Sequence, residues 1–142
     1  MKAVLGLDLG EKRIGVAVTD EAGMMAMPLM TLSFESRKKL LAELQELIER
    51  HRVGKVVVGL PKTLKGEWGP AAQKITAHVE WFKVQIPLPW ILWDERFSTA
   101  EVERLLIDAD VSRAKRKEVR DRLAAQRILQ SYLDYESRQE HS

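Results

Sequence analysis

At three places in this sequence acids stand where an acid is costly. Asp8 lies between Leu7 and Leu9 in an otherwise apolar run, Asp94 and Glu95 follow Trp90-Ile91-Leu92-Trp93, and Asp121 shares a helical stripe with Ala124, Ala125, Ile128 and Tyr132. Burying an ionised carboxylate is strongly unfavourable unless it is paired or bound to a metal. Each position also has a plainer reading. Asp8 could accept hydrogen bonds from the Gly10 to Arg13 turn or pair with Arg13. Asp94 and Glu95 could open a helix with Ser98, and Asp121 could be a first-turn acid favoured by the helix dipole.

Taken together, the acids point to metal chemistry on oxygen. The chain has no cysteine, and His51, His78 and His141 fall on charged or terminal stretches. An all-carboxylate set suits Mg2+ or Mn2+ rather than zinc. Two such ions about 3.5–4 Å apart activate a water and stabilise the leaving oxygen of a phosphodiester, which is hydrolysis without a protein nucleophile.

The elements that must position these acids are legible from periodicity. Residues 3–9 and 14–19 are short β-branched runs joined by Gly10-Glu11-Lys12-Arg13, the pattern of a hairpin, and a turn at Asp20 to Gly23 leads to a third strand near 24–32. An amphipathic helix is predicted over 36–52, with Leu40, Leu41, Leu44, Leu47 and Ile48 at helical spacing and Gly54 just past its end. The continuous apolar run 55–60 reads as a strand buried on both faces, closed by Pro61. After a loop over 62–70, Pro70 opens a second helix; 88–93 is a further strand. Ser98-Thr99-Ala100-Glu101 matches a capping box for a third helix to about Ile107, and a last helix runs from about Lys117 to Tyr135. Hairpins followed by right-handed crossovers imply an α/β protein with a mixed sheet, antiparallel first and parallel later.

At 142 residues, with 45% hydrophobic and 31% charged residues, the chain fits one domain over 1–142 with a core of its own, the last few residues forming a disordered tail. No apolar run approaches the roughly 18 residues of a membrane span, and Asp8 interrupts what would be a signal peptide's apolar stretch. A cytoplasmic protein without a membrane partner is expected. The net charge of +2 is too mild to mark a nucleic-acid binder, so local clusters must decide. Between 111 and 122 six basic residues stand against two acids, in the stretch that delivers Asp121. Arg113, Lys115, Arg116 and Lys117 are therefore candidate phosphate contacts, although a charge run is also the ordinary form of a solvated face. Lys12, Arg13 and Arg96 border the acids and could grip a backbone or pair with a carboxylate. Lys62, Lys65 and Trp68 offer charge and an aromatic face that could stack on an unpaired base or pack on its own helix.

Four segments carry a family resemblance: Asp8-Leu9-Gly10-Glu11-Lys12-Arg13-Ile14-Gly15-Val16-Ala17, Val57-Val58-Gly59-Leu60-Pro61, Asp94-Glu95-Arg96-Phe97-Ser98-Thr99, and Asp121-Arg122-Leu123-Ala124-Ala125 through Ile128-Leu129-Gln130-Ser131-Tyr132-Leu133. In order and spacing they resemble the YqgF/RuvX family, homologues of the RuvC Holliday-junction resolvase that are also described as pre-16S ribosomal RNA nucleases. The resemblance spans nearly the whole chain. It implies a ribonuclease H-like fold with strand order 3-2-1-4-5, and it implies that Asp8, an acid of the Asp94-Glu95 pair and Asp121 form the metal-binding, catalytic set.

With that strand order, the ends of strands 1 and 5 are two spacings apart, roughly 9–10 Å. The fifth-strand acid must reach across Gly59, and the longer Glu95 does so more readily than Asp94. The implied substrate is structured nucleic acid, either branched DNA or precursor ribosomal RNA. Junction cleavage would further require a homodimer. Two other classes compete. An actin-like ATPase would share the Asp-x-Gly hairpin but needs a second lobe, and a non-catalytic ribosome-assembly, translation or transcription factor on the same fold would have no need of three costly acids.

Overall fold

A computed structural model of the chain describes residues 2–61, 69–94 and 113–140. Eight elements follow in order: β1 (Ala3–Leu9), β2 (Arg13–Thr19), β3 (Ala26–Ser33), α1 (Arg37–His51), β4 (Val53–Leu60), α2 (Pro70–Gln85), β5 (Trp90–Asp94) and α3 (Arg113–Glu140). The predicted helix from Ser98 to about Ile107 lies outside the described residues.

The five strands form one sheet in the order β3-β2-β1-β4-β5, as the resemblance implies. The β1–β2 and β2–β3 pairs are antiparallel, while β1–β4 and β4–β5 are parallel. This is the ribonuclease H-like arrangement. Strand β1 sits at its centre, which explains why a run of Leu5, Leu7 and Leu9 is buried to within a few per cent.

Period-2 alternation separates two cores. Leu5, Leu7 and Leu9 of β1, with Val56, Val58 and Leu60 of β4, pack against Leu40, Leu44 and Leu47 of α1 and Ala72, Ile75, Val79 and Phe82 of α2. On the other face Ala17 and Val57 meet Ala125, Ile128, Leu129 and Tyr132 of α3, with Val4, Ile91 and Trp93 at the margin. The chain is thus layered helix, sheet, helix, with α3 alone among the described helices on the face that Asp8 shares with Val4 and Gly6.

Several element ends differ from their sequence expectations. Helix α1 begins as predicted, with the Ser36 side chain accepting from the Lys39 amide, but Arg52 rather than Gly54 takes the left-handed capping position, at φ 54°. Strand β4 begins at once with buried Val53, and the Ala3 amide donates to the Arg52 carbonyl at 3.0 Å, so the turn must be completed before Gly54. Helix α3 runs from Arg113 to Glu140, longer at both ends than the stripe 117–135. Its first turns, Arg-Ala-Lys-Arg-Lys-Glu, lack apolar periodicity but consist of strong helix formers. Among the described residues no helix is long and apolar enough to cross a membrane.

Candidate active site

Asp8 is the next-to-last residue of β1, on a strand whose other face is core, so its side chain falls on the face covered by α3. Its register partner on β2 is Gly15. The main chain of Asp121 lies directly over Gly15. The helix therefore lowers its own acid onto the strand position beside Asp8, and the two carboxylates interact electrostatically.

Asp8 carries the cost of that arrangement. Burial, followed by repulsion from Asp121, raises its carboxyl from the ordinary 3.8 to about 6, with Arg120 acting in the opposite sense. Asp121 is held by Arg13, whose Nε donates to Oδ2 at 2.8 Å, with the two side chains 32% and 15% exposed. Of the plainer readings, the ion pair of Asp8 with Arg13 gives way to a pair between Arg13 and Asp121. The helix-dipole reading of Asp121 also falls, because Arg113 opens α3 about two turns earlier.

Several contacts outside the acids fix where α3 lies. Gln130 accepts from the Ala26 amide at 2.8 Å and donates to the Met24 carbonyl at 3.3 Å, while Gln126 donates to the Ala26 carbonyl at 3.1 Å. Thr31 Oγ1 donates to the Glu118 carbonyl at 2.7 Å, one turn from Asp121. Lys55 Nζ reaches Tyr132 Oη at 2.9 Å and Glu136 at 3.1 Å. Sequence reasoning passes over Thr31 and Gln126, which carry no periodic signal, and meets Gln130 and Tyr132 only within a motif or stripe. Gly15 is visible there only as part of a motif.

The strand pairings fix the face of the sheet on which Asp94 lies. Ile91 and Trp93 pack toward α3, and Trp93 Nε1 donates to Ser131 Oγ at 3.0 Å. Asp94 pairs with Leu60, whose side chain belongs to the core under α1 and α2, so Asp94 lies on the opposite face of the sheet from Asp8. Glu95 itself lies outside the described residues, as do Arg96, Lys62, Lys65 and Trp68. Among the described residues no cluster of three or more metal-ligating side chains occurs; the two that converge are Asp8 and Asp121.

The basic candidates that are described fall in the β1–β2 turn and in the first turns of α3. Lys12 is exposed in the β1–β2 turn, with its carbonyl accepting from the Phe34 amide at 2.8 Å. Arg113 is the first residue of α3, followed by exposed Lys115, half-buried Arg116 and exposed Lys117. Lys115 is engaged in an interaction of its own.

The donor set suits a hard divalent cation. It consists of carboxylate oxygens, and the mutual repulsion of Asp8 and Asp121 is the kind of strain that a bound cation relieves. The strand order β3-β2-β1-β4-β5 with helices on both faces defines a protein of ribonuclease H-like fold.

Solved structures agree on the fold. RuvC of Thermus thermophilus in complex with a Holliday junction substrate aligns with a TM-score of 0.56 at 15% identity, covering 96% of each chain. The fowlpox virus resolvase, in complex with Holliday junction DNA, aligns at 0.55 and 12% identity, covering 94% of this chain and 97% of that one. At these identities the likeness is one of fold. The family model RuvX, described as Holliday junction resolvase, matches residues 2–135. The chain belongs to the RuvX family. A relative from Thermoanaerobacter pseudethanolicus, named "Putative pre-16S rRNA nuclease", is 49% identical, with 92% of this chain and 95% of the relative covered. One of the same name from Desulforudis audaxviator is 48% identical, covering 92% and 93%.

Proposed function

We propose that this RuvX-family nuclease is an endonuclease that uses Asp8, Asp121 and Glu95 to hold Mg2+ or Mn2+, in a pair of ions, against a phosphodiester of structured nucleic acid. The observation that carries the reading is the seating of the Asp121 main chain on Gly15, the register partner of Asp8, at the end of the central strand. Two acids brought together by a helix and a strand from opposite ends of the chain are unfavourable for folding alone. A site that must bind hard cations accounts for them. Glu95 is preferred as the third ligand because Asp94 occupies the other face of the sheet.

When bound, such ions supply a deprotonated water and stabilise the leaving oxygen. The protein's own part is to fix the carboxylates and to present cations to the backbone. Lys12, Arg13 and the α3 residues Arg113, Lys115, Arg116 and Lys117 are the proposed phosphate contacts, with Lys62, Lys65, Trp68 and Arg96 completing the set. The names of the relatives favour precursor 16S ribosomal RNA, and the structural neighbours, resolvases in complex with Holliday junctions, favour four-way DNA junctions. Junction cleavage would call for a homodimer; backbone contacts themselves distinguish sugar and sequence poorly.

The test is a side-by-side cleavage assay on junction DNA, flapped DNA and precursor ribosomal RNA, with and without Mn2+, and with Asp8→Asn as the contamination control. Metal-dependent cleavage of at least one substrate, absent from Asp8→Asn, supports the reading. Cleavage by Asp8→Asn at the parental rate overturns it.

A further inference from the structure

Arg13 lies at the first position of β2, two residues before Gly15, on the face that α3 covers. Its backbone is fixed, since its carbonyl accepts from the Gly10 amide at 2.9 Å in the hairpin turn. Its side chain is a third exposed, whereas the Asp121 carboxylate that it holds is more enclosed. The side chain thus has a route to solvent that the backbone lacks.

We propose that Arg13 is the internal counter-ion of the acidic pair: its guanidinium neutralises Asp121 in the cation-free protein, and a divalent cation must compete with it for that carboxylate. This inference rests on the reading of Asp8 and Asp121 as cation ligands. The pairing is made through Nε at 2.8 Å, a charge-assisted hydrogen bond at a site too enclosed to be fully screened. A second cation arriving at Asp121 meets like charge, so Arg13 lowers the affinity of the site while keeping the empty protein folded around two acids. Once released from Asp121, the guanidinium would be available to a phosphate.

A purely structural role predicts the opposite sign. If Arg13 only tethers α3, its loss lets Asp121 drift and weakens cation binding. If it is the counter-ion, its loss strengthens binding.

Titration calorimetry of Mn2+ into the full chain separates the two. Arg13→Gln is expected to bind Mn2+ roughly tenfold more tightly than wild type, the scale of removing one opposing charge at a partly solvated site. Arg13→Lys should stay near wild type, and Asp8→Asn should lose the binding. Equal or weaker binding by folded Arg13→Gln overturns the counter-ion role while leaving the site intact. Binding by Asp8→Asn equal to that of wild type overturns the reading of the site, and this inference with it.

A measurement on wild type guards against a misfolded variant. The Arg13 Nε–H proton is expected to exchange slowly with solvent in cation-free protein and to become severalfold faster as Mg2+ saturates. Exchange unchanged at saturation overturns the proposal.

Discussion

The main chain of Asp121 occupies the space that a side chain on Gly15 would need: a Cβ built there lies 1.8 Å from the Asp121 carbonyl oxygen and 2.3 Å from its carbonyl carbon. Because Gly15 is the register partner of Asp8, this close approach is what sets an acid of the last helix beside an acid of the first strand. Gly15 works by having no side chain at all.

Gly15→Ala should therefore displace α3 at the site itself. Backbone atoms cannot rotate away as a side chain can, so a loss on the order of 3 kcal/mol is expected, with a fall in Tm of about 10 °C and loss of metal-dependent cleavage even well below melting. Gly6→Ala meets Leu129 Cβ at 2.7 Å and the Ala125 carbonyl at 3.2 Å, about two turns and one turn beyond Asp121 along α3. It should cost stability but spare cleavage by the folded protein. Thermal melts paired with cleavage rates check both, and a fully active Gly15→Ala would contradict the account.

Asp8→Asn should stabilise the cation-free protein while abolishing cleavage. The folded carboxyl, at about 6, lies above its ordinary 3.8. Between those values the native state holds a proton that the unfolded chain has released, so this group favours folding fully below pH 4 and loses that contribution as pH rises through about 6. At pH 7 and above the variant should exceed wild type by on the order of 2 kcal/mol, and the difference should shrink toward pH 4. Denaturant melts in chelator at both pH values measure it. A variant less stable than wild type at pH 7.5 would show that Asp8 is held by favourable contacts instead.

Asp94, the last residue of β5, and its neighbour Glu95 should differ in their effect on cleavage. Asp94→Asn, on the face of Leu60, should retain at least a third of wild-type cleavage, whereas Glu95→Gln should fall by 100-fold or more, on the order of a missing metal ligand. The reverse ranking in the cleavage assay would assign the ligand to Asp94.

Much of the fold and part of the site are legible in the sequence. Strand order follows from the resemblance, and the cores follow from period-2 runs such as Leu5, Leu7 and Leu9. Asp8 and Asp121 stand out because an acid among apolar neighbours breaks its own pattern. The Arg13–Asp121 pair does not stand out, since a sequence gives no distance between residues far apart along it and Arg13 fits a neighbouring acid or a phosphate equally well. The early start of α3 is hidden for another reason: a lysine- and arginine-rich helix with no buried stripe has propensity but no period.

The basic opening of α3 should act through charge alone. Neutralising Arg113, Lys115 and Arg116 together is expected to weaken nucleic-acid binding uniformly across sequences and to reduce the slope of log affinity against log salt by about 2–3, roughly one for each phosphate left without its cationic side chain. Filter binding across a salt series checks this, and an unchanged slope would assign the three residues to a solvated face.

The central claim is that Asp8 and Asp121 share divalent cations. Anomalous diffraction from crystals of the protein soaked in Mn2+ tests it most directly. A strong manganese peak bridging the two carboxylates is predicted in wild type and its loss in Asp8→Asn; manganese bound only elsewhere on the molecule, in crystals whose protein still cuts, would contradict it.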